Sequence, residues 1–118
     1  MALAQPAYFP RVPVERSLRR LHGVVEAVHY GPDGRVAWVR AYLRRFDNFS
    51  DRVRLTREDL VRRLQGGQRF RVGKPRPRLG NDFEVGPAVT LAQRAGEPFL
   101  TLEGAPSPEQ ELAGVPVL

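Results

Sequence analysis

The 118-residue chain has no cysteine and no isoleucine, and only one lysine, one methionine and one tryptophan. Without cysteine there is no disulfide framework and no thiolate metal site. No apolar run approaches the roughly 20 residues that cross a bilayer as a helix. The N-terminal MALAQPAYFPRVPVE lacks the basic-then-apolar order of a secretory signal. A soluble, cytoplasmic protein is the default expectation, and the length allows a single modest core. Lysine and isoleucine both have AT-rich codons, so their scarcity marks a GC-rich genome and gives the arginine preference no functional weight.

Catalytic signatures are also missing. There is no P-loop, no G-x-G-x-x-G after a strand and no G-x-S-x-G nucleophile turn. His22 and His29, seven residues apart near or on one strand, point to opposite faces and lack partners at ligand spacing, so no metal site is expected. His29 reads as a half-buried residue bonded to backbone. The carboxylates Asp47 and Asp51 flank a loop, and Glu58 and Asp59 suit a helix N-terminus, so neither pair reads as an acid and base held across a cleft. No enzyme activity and no cofactor are expected.

What the chain has in excess is positive charge, unevenly placed. Net charge is +6, and all 19 basic residues lie at or before Arg94. Set against 9 acidic residues, they leave residues 1–95 at +10, while residues 96–118 carry −4. A body this basic favours polyanions such as nucleic acid, or an acidic protein surface.

Proline divides the chain. Pro6, Pro10 and Pro13 predict an extended arm over residues 1–15. GAPSPEQELAGVPVL predicts a flexible acidic tail over 104–118, able to fold back over basic surface as an internal competitor. Between them, residues 16–103 read as one small β-barrel-like domain. The clearest element is a hairpin, LHGVVEAVHYGPDGRVAWVRAYLRRF. Its GPDG suits a type I turn followed by a left-handed glycine, a three-residue loop with a bulge. That turn sets Gly31 opposite Arg35 and predicts Glu26 facing Arg40, Val28 facing Trp38 and Val24 facing Tyr42. One face then carries Val25, Ala27, His29, Ala37, Val39, Ala41 and Leu43. The other carries Val24, Glu26, Val28, Tyr30, Val36, Trp38, Arg40, Tyr42, Arg44 and Phe46. Neither face reads as plainly solvent-exposed.

LTREDLVRRLQGG is the one convincing helix, over about residues 56–66. Thr56 caps it, Gly66 or Gly67 ends it, and Leu60, Val61 and Leu64 form its apolar stripe, with Arg57, Arg62 and Arg63 nearer to solvent. Strands resume at QRFRVGK, DFEVGPAVTLAQ and PFLTLEG. The predicted fold is mainly β (α+β): a small curled antiparallel sheet or open barrel of about five strands with one short capping helix.

Two features predict binding. Trp38, Arg40, Tyr42 and Arg44 alternate flat rings with guanidinium groups, as sheet surfaces do when bases stack and phosphates pair. Buried aromatics are the commoner case, however, and on that ground Trp38 and Tyr42 read as barrel core with the arginines at its rim. The second feature is a run of seven cations without an intervening acid: Arg62, Arg63, Arg69, Arg71, Lys74, Arg76 and Arg78. Pro75 and Pro77 make GKPRPRLGN a stiff projecting loop. The expected ligand is RNA or single-stranded DNA. The rival expectation is a non-enzymatic assembly subunit, with a protein partner or second copy covering a sheet face.

Overall fold

The computed structural model describes residues 21–46, 48–76, 83–104 and 110–118. Its elements are β1 (Gly23–Tyr30), β2 (Val36–Arg45), β3 (Asn48–Phe49), β4 (Val53–Thr56), α1 (Arg57–Gln65), β5 (Phe70–Pro75), β6 (Phe83–Arg94) and β7 (Glu97–Leu102). They form a curled half-barrel with one short helix, as the sequence predicts. The strand order is β3-β2-β1-β5-β6-β7, with β4 also on β2. The sheet is mixed rather than antiparallel, because Gly23–Val25 of β1 run parallel to Phe70–Val72 of β5. The chain between them holds β2, β3, β4 and α1, a crossover long enough to bring β5 back in the same direction. Residues 1–20 include the predicted arm and lie outside the described residues.

The helix follows its sequence signals closely. Thr56 is extended (φ −68°, ψ 158°), and its hydroxyl accepts the Asp59 N–H at 3.1 Å. Glu58 and Asp59 sit in the first turn, where the helix dipole favours acids. Gly66 ends the helix, its N–H donating to the Arg62 carbonyl at 3.0 Å. Leu60 and Val61 are buried against the sheet.

The hairpin register is correct at both ends and shifted between them. Gly31 N–H donates to the Arg35 carbonyl at 2.8 Å, and Val24 faces Tyr42, as the turn dictates. Between these points two irregularities slide the ladder by one residue. Ala27 pairs Arg40, Val28 pairs Val39 and His29 pairs Trp38. An extra residue sits at Ala37 on β2, and a compensating one at Glu26 on β1. A one-residue slip moves side chains to the other face. Val28, Tyr30 and Val36, predicted beside Trp38, therefore join Val25, Val39, Ala41 and Leu43 in the main core. The bulged Glu26 still reaches Arg40, at 3.1 Å from Nε.

Each face carries its own cluster. Leu60 and Val61 of α1, Phe70, Leu100, Leu112 and Val115 close the first. Leu21, Val24, Tyr42 and Phe83 form the second, with Phe49 and Val85 against it. Burying side chains of this size contributes about 1.5–3 kcal/mol each. Gly23 makes one close approach possible: a Cβ there would sit 2.3 Å from the Phe70 ring.

The C-terminal residues correct the sequence reading most. Instead of a flexible acidic tail, the segment 110–118 is anchored in the core through Glu111, Leu112 and Val115, while 105–109 of the predicted tail lie outside the described residues. Leu112 is 0% exposed and Glu111 2%. Glu111 Oε1 accepts the Val36 N–H at 3.1 Å and Oε2 accepts the Leu100 N–H at 3.0 Å, so one carboxylate ties β2 to β7. Arg57, predicted nearer to solvent, closes the set with Nε and Nη2 at 2.9 and 2.7 Å from the two oxygens. Burial pushes this carboxyl up, but Arg57 and the two N–H groups outweigh it and hold it below the ordinary range. Tyr30 O–H donates to the Glu111 carbonyl at 2.7 Å. Beyond them the chain runs along β1, where Val28 N–H donates to the Pro116 carbonyl and Leu118 N–H to the Val28 carbonyl. No described helix is long and apolar enough to cross a membrane.

Candidate nucleic-acid interface

The predicted aromatic face divides in two. Tyr42 belongs to the core: it is 8% exposed, sealed by Phe83 in an edge-to-face contact at 5.2 Å. Burial, and then the Glu26 carboxylate, raise its hydroxyl pKa, with Arg52 opposing. Trp38 remains half-exposed, stacked on His29 at 4.9 Å and 17° on one side, with the Arg54 guanidinium 4.2 Å from its centroid. Its ring already has partners, and so does Arg40, through Glu26. The alternation expected from Trp38 to Arg44 is therefore not an open stacking platform. His29 stacks on Trp38 rather than bonding to backbone as expected.

The predicted cation run is also dispersed. Arg62 and Arg63 lie on α1, where Arg63 pairs with Asp59 at 3.4 Å. Arg69 is exposed, and its N–H donates to His22 Nδ1 at 3.0 Å. Arg71 donates to the Gly86 carbonyl at 2.7 Å. Lys74 lies 3.7 Å from Glu84 with both side chains largely exposed, a contact that solvent and salt screen to little. Arg76 is exposed, and Arg78 lies outside the described residues.

What the fold does bring together is a different constellation, built from the β2–β3 hairpin and the end of β5–β6. Phe83, which pairs with Pro75, packs edge-to-face on Phe49 at 4.9 Å as well as on Tyr42. The end of the β5–β6 hairpin thus lies against β2 and β3. A pocket of about 460 Å³ opens at this junction, with Tyr42, Phe49 and Phe83 as aromatic lining, Pro75 beside them and Ser50, Asp51 and Arg52 also lining it.

Basic groups flank the pocket, with Asp51 also in its lining and Arg52 3.8 Å from the Glu26 carboxylate. Arg44 lies over the Phe49 ring at 5.5 Å and is anchored through Nε to the Leu21 carbonyl at 2.5 Å. Arg45 and Arg52 are exposed. Arg76 directly follows Pro75, so the arginine-proline loop starts here. The turn after Arg45 carries Phe46, 94% exposed.

Of the predicted binding candidates, Arg44 and Arg76 lie at this junction, whereas Arg45, Phe46, Phe49, Arg52 and Phe83 were not among them. The available signal was RRFDNFSDR, a second short hairpin with aromatics two and five residues after Arg44. No protein-family model, characterised protein or solved structure matches the chain. The chemistry of the surface itself therefore carries the functional reading.

Proposed function

We propose that this protein binds single-stranded nucleic acid, RNA or DNA, at the junction of the β2–β3 hairpin with the end of β5–β6. The observation that supports this most is the pocket in which Phe49 stays partly exposed over the buried rings of Tyr42 and Phe83, with Arg52 in its lining, Arg44 over the Phe49 ring and Arg76 next in the chain to the lining Pro75. A concave aromatic site within a basic surface suits an unpaired base, while the arginines meet adjacent phosphates. Duplex is a poorer fit, because its bases are stacked away from such a pocket. The net charge of +6 adds long-range attraction to any polyanion.

Binding of labelled mixed-sequence RNA and single-stranded DNA, measured across a salt series, tests this. Affinity should fall linearly with salt on a logarithmic plot, by a slope of about 0.7 per phosphate neutralised. Replacing Arg45 and Arg76 together by alanine should flatten the slope by about 1.4. An affinity indifferent to salt overturns the proposal.

A second reading has its own observation. Where β1 parts from β5, a groove of about 440 Å³ is lined by Ala27, Val72, Val85, Pro116 and Leu118. Val117, 64% exposed, lies next to it in the chain. Such an apolar surface suits a protein partner. A stable oligomer by light scattering, unmoved by oligonucleotide, would favour this reading.

A further inference from the structure

Phe46 occupies a position that neither backbone nor solvent favours. Arg44 pairs with Phe49 and Arg45 with Asn48, so Phe46 begins a tight turn from β2 into β3. Phe46 has φ +54°, in the left-handed region, and its ring is 94% exposed. Tight hairpin turns need positive φ at this place, which is why asparagine and glycine dominate there. A β-carbon in that conformation meets the backbone, and an exposed ring gains nothing from burial. Asparagine would serve the turn better on both counts. Strain of this kind persists where a site uses the side chain.

Its surroundings indicate the use. Arg44 and Arg45 precede it, and the aromatic pocket begins three residues on at Phe49. We infer that Phe46 is a stacking residue for a nucleobase, projecting from the hairpin tip to hold the nucleotide next to the one at the pocket. This inference rests on the nucleic-acid reading. A lone exposed ring directly after Arg44 and Arg45 has the flat face and the neighbouring cations that a nucleotide requires. A bilayer would require several apolar side chains at one depth.

The test compares Phe46→Asn, Phe46→Trp and the wild-type chain for binding to a labelled single-stranded oligonucleotide over a salt series. Stacking on one base changes affinity by about 5- to 150-fold. Phe46→Asn should therefore bind weaker by a factor in that range with an unchanged salt slope, since no cation is lost. The same variant should melt at a higher temperature, so that the loss of affinity cannot come from unfolding. Phe46→Trp should restore the affinity, and its indole fluorescence should be quenched by the oligonucleotide.

If Phe46→Asn binds as tightly as the wild type while salt-sensitive binding persists, the stacking role is overturned and the wider reading stands. If the wild-type chain binds no oligonucleotide at any salt, both fall. Phe46-dependent attachment to anionic phosphatidylserine vesicles, without oligonucleotide binding, would assign the tip to a membrane surface instead.

Discussion

The two ends of β2 solve opposite problems. At Val36, the carboxylate of Glu111 is buried and saturated: two backbone N–H groups and a bidentate guanidinium occupy its oxygens. At Arg45 the strand runs into a turn that exposes a phenyl ring on a left-handed backbone between arginines and an aromatic pocket. The first end gives up solvent to fix the barrel. The second leaves the Phe46 ring and the Arg45 side chain exposed. A buried charge is tolerated only when fully paired, whereas an exposed turn can carry backbone strain that the rest of the fold offsets.

The contrast breaks most severely at Glu111. Glu111→Gln leaves the Arg57 guanidinium buried without its counter-charge and turns an acceptor into a donor beside backbone N–H groups. It should destabilise the fold by about 3–5 kcal/mol, read from urea unfolding. Acid probes the same site. Because the folded carboxyl titrates below its ordinary value, its contribution is complete above the unfolded pKa of about 4.3 and is lost as pH falls through the folded value. Unfolding free energy should therefore drop on acidification below about pH 4, and this part of the drop should be absent in Glu111→Gln.

A smaller break lies at the parallel seam. Gly23→Val drives a side chain into the Phe70 ring and should cost about 1–3 kcal/mol. At the open end the sign reverses. Phe46→Asn should stabilise the fold by about 1 kcal/mol, measured by the same urea titration, because asparagine tolerates the left-handed conformation. Smallest of all, Lys74→Ala should stay within about 0.5 kcal/mol, since its contact with Glu84 is exposed.

How legible these two ends were in the sequence follows from the range of the interactions. The GPDG turn and the α1 caps are local, so Gly31 opposite Arg35 and Thr56 at the N-cap are both readable. The one-residue slip between them is not, because each bulge is fixed by what packs against the sheet. Val28 and Val36 turn inward to meet Leu112 and Leu60 in one core, which no turn rule contains. Glu111 was hidden for the same reason: its partners lie 54 and 75 residues away at Arg57 and Val36. Proline and acid in the surrounding segment read locally as solvated chain, although Leu112 and Val115 carried an apolar signal. The parallel pairing of β1 with β5 is equally non-local. At the candidate interface, Arg44 and Arg76 were legible as cations. The packing of Phe83 on Tyr42 and Phe49 depends on how the β5–β6 hairpin lies against β2, and composition cannot express that.

The most direct measurement is an amide NMR titration of the protein with a mixed-sequence single-stranded oligonucleotide at physiological salt. Shifts should concentrate at residues 44–46 and 48–52 and at Lys74 and Arg76, with none around Glu111 and Leu112. Shifts confined to the groove of Ala27, Val72 and Leu118, or no shifts at all, would contradict this.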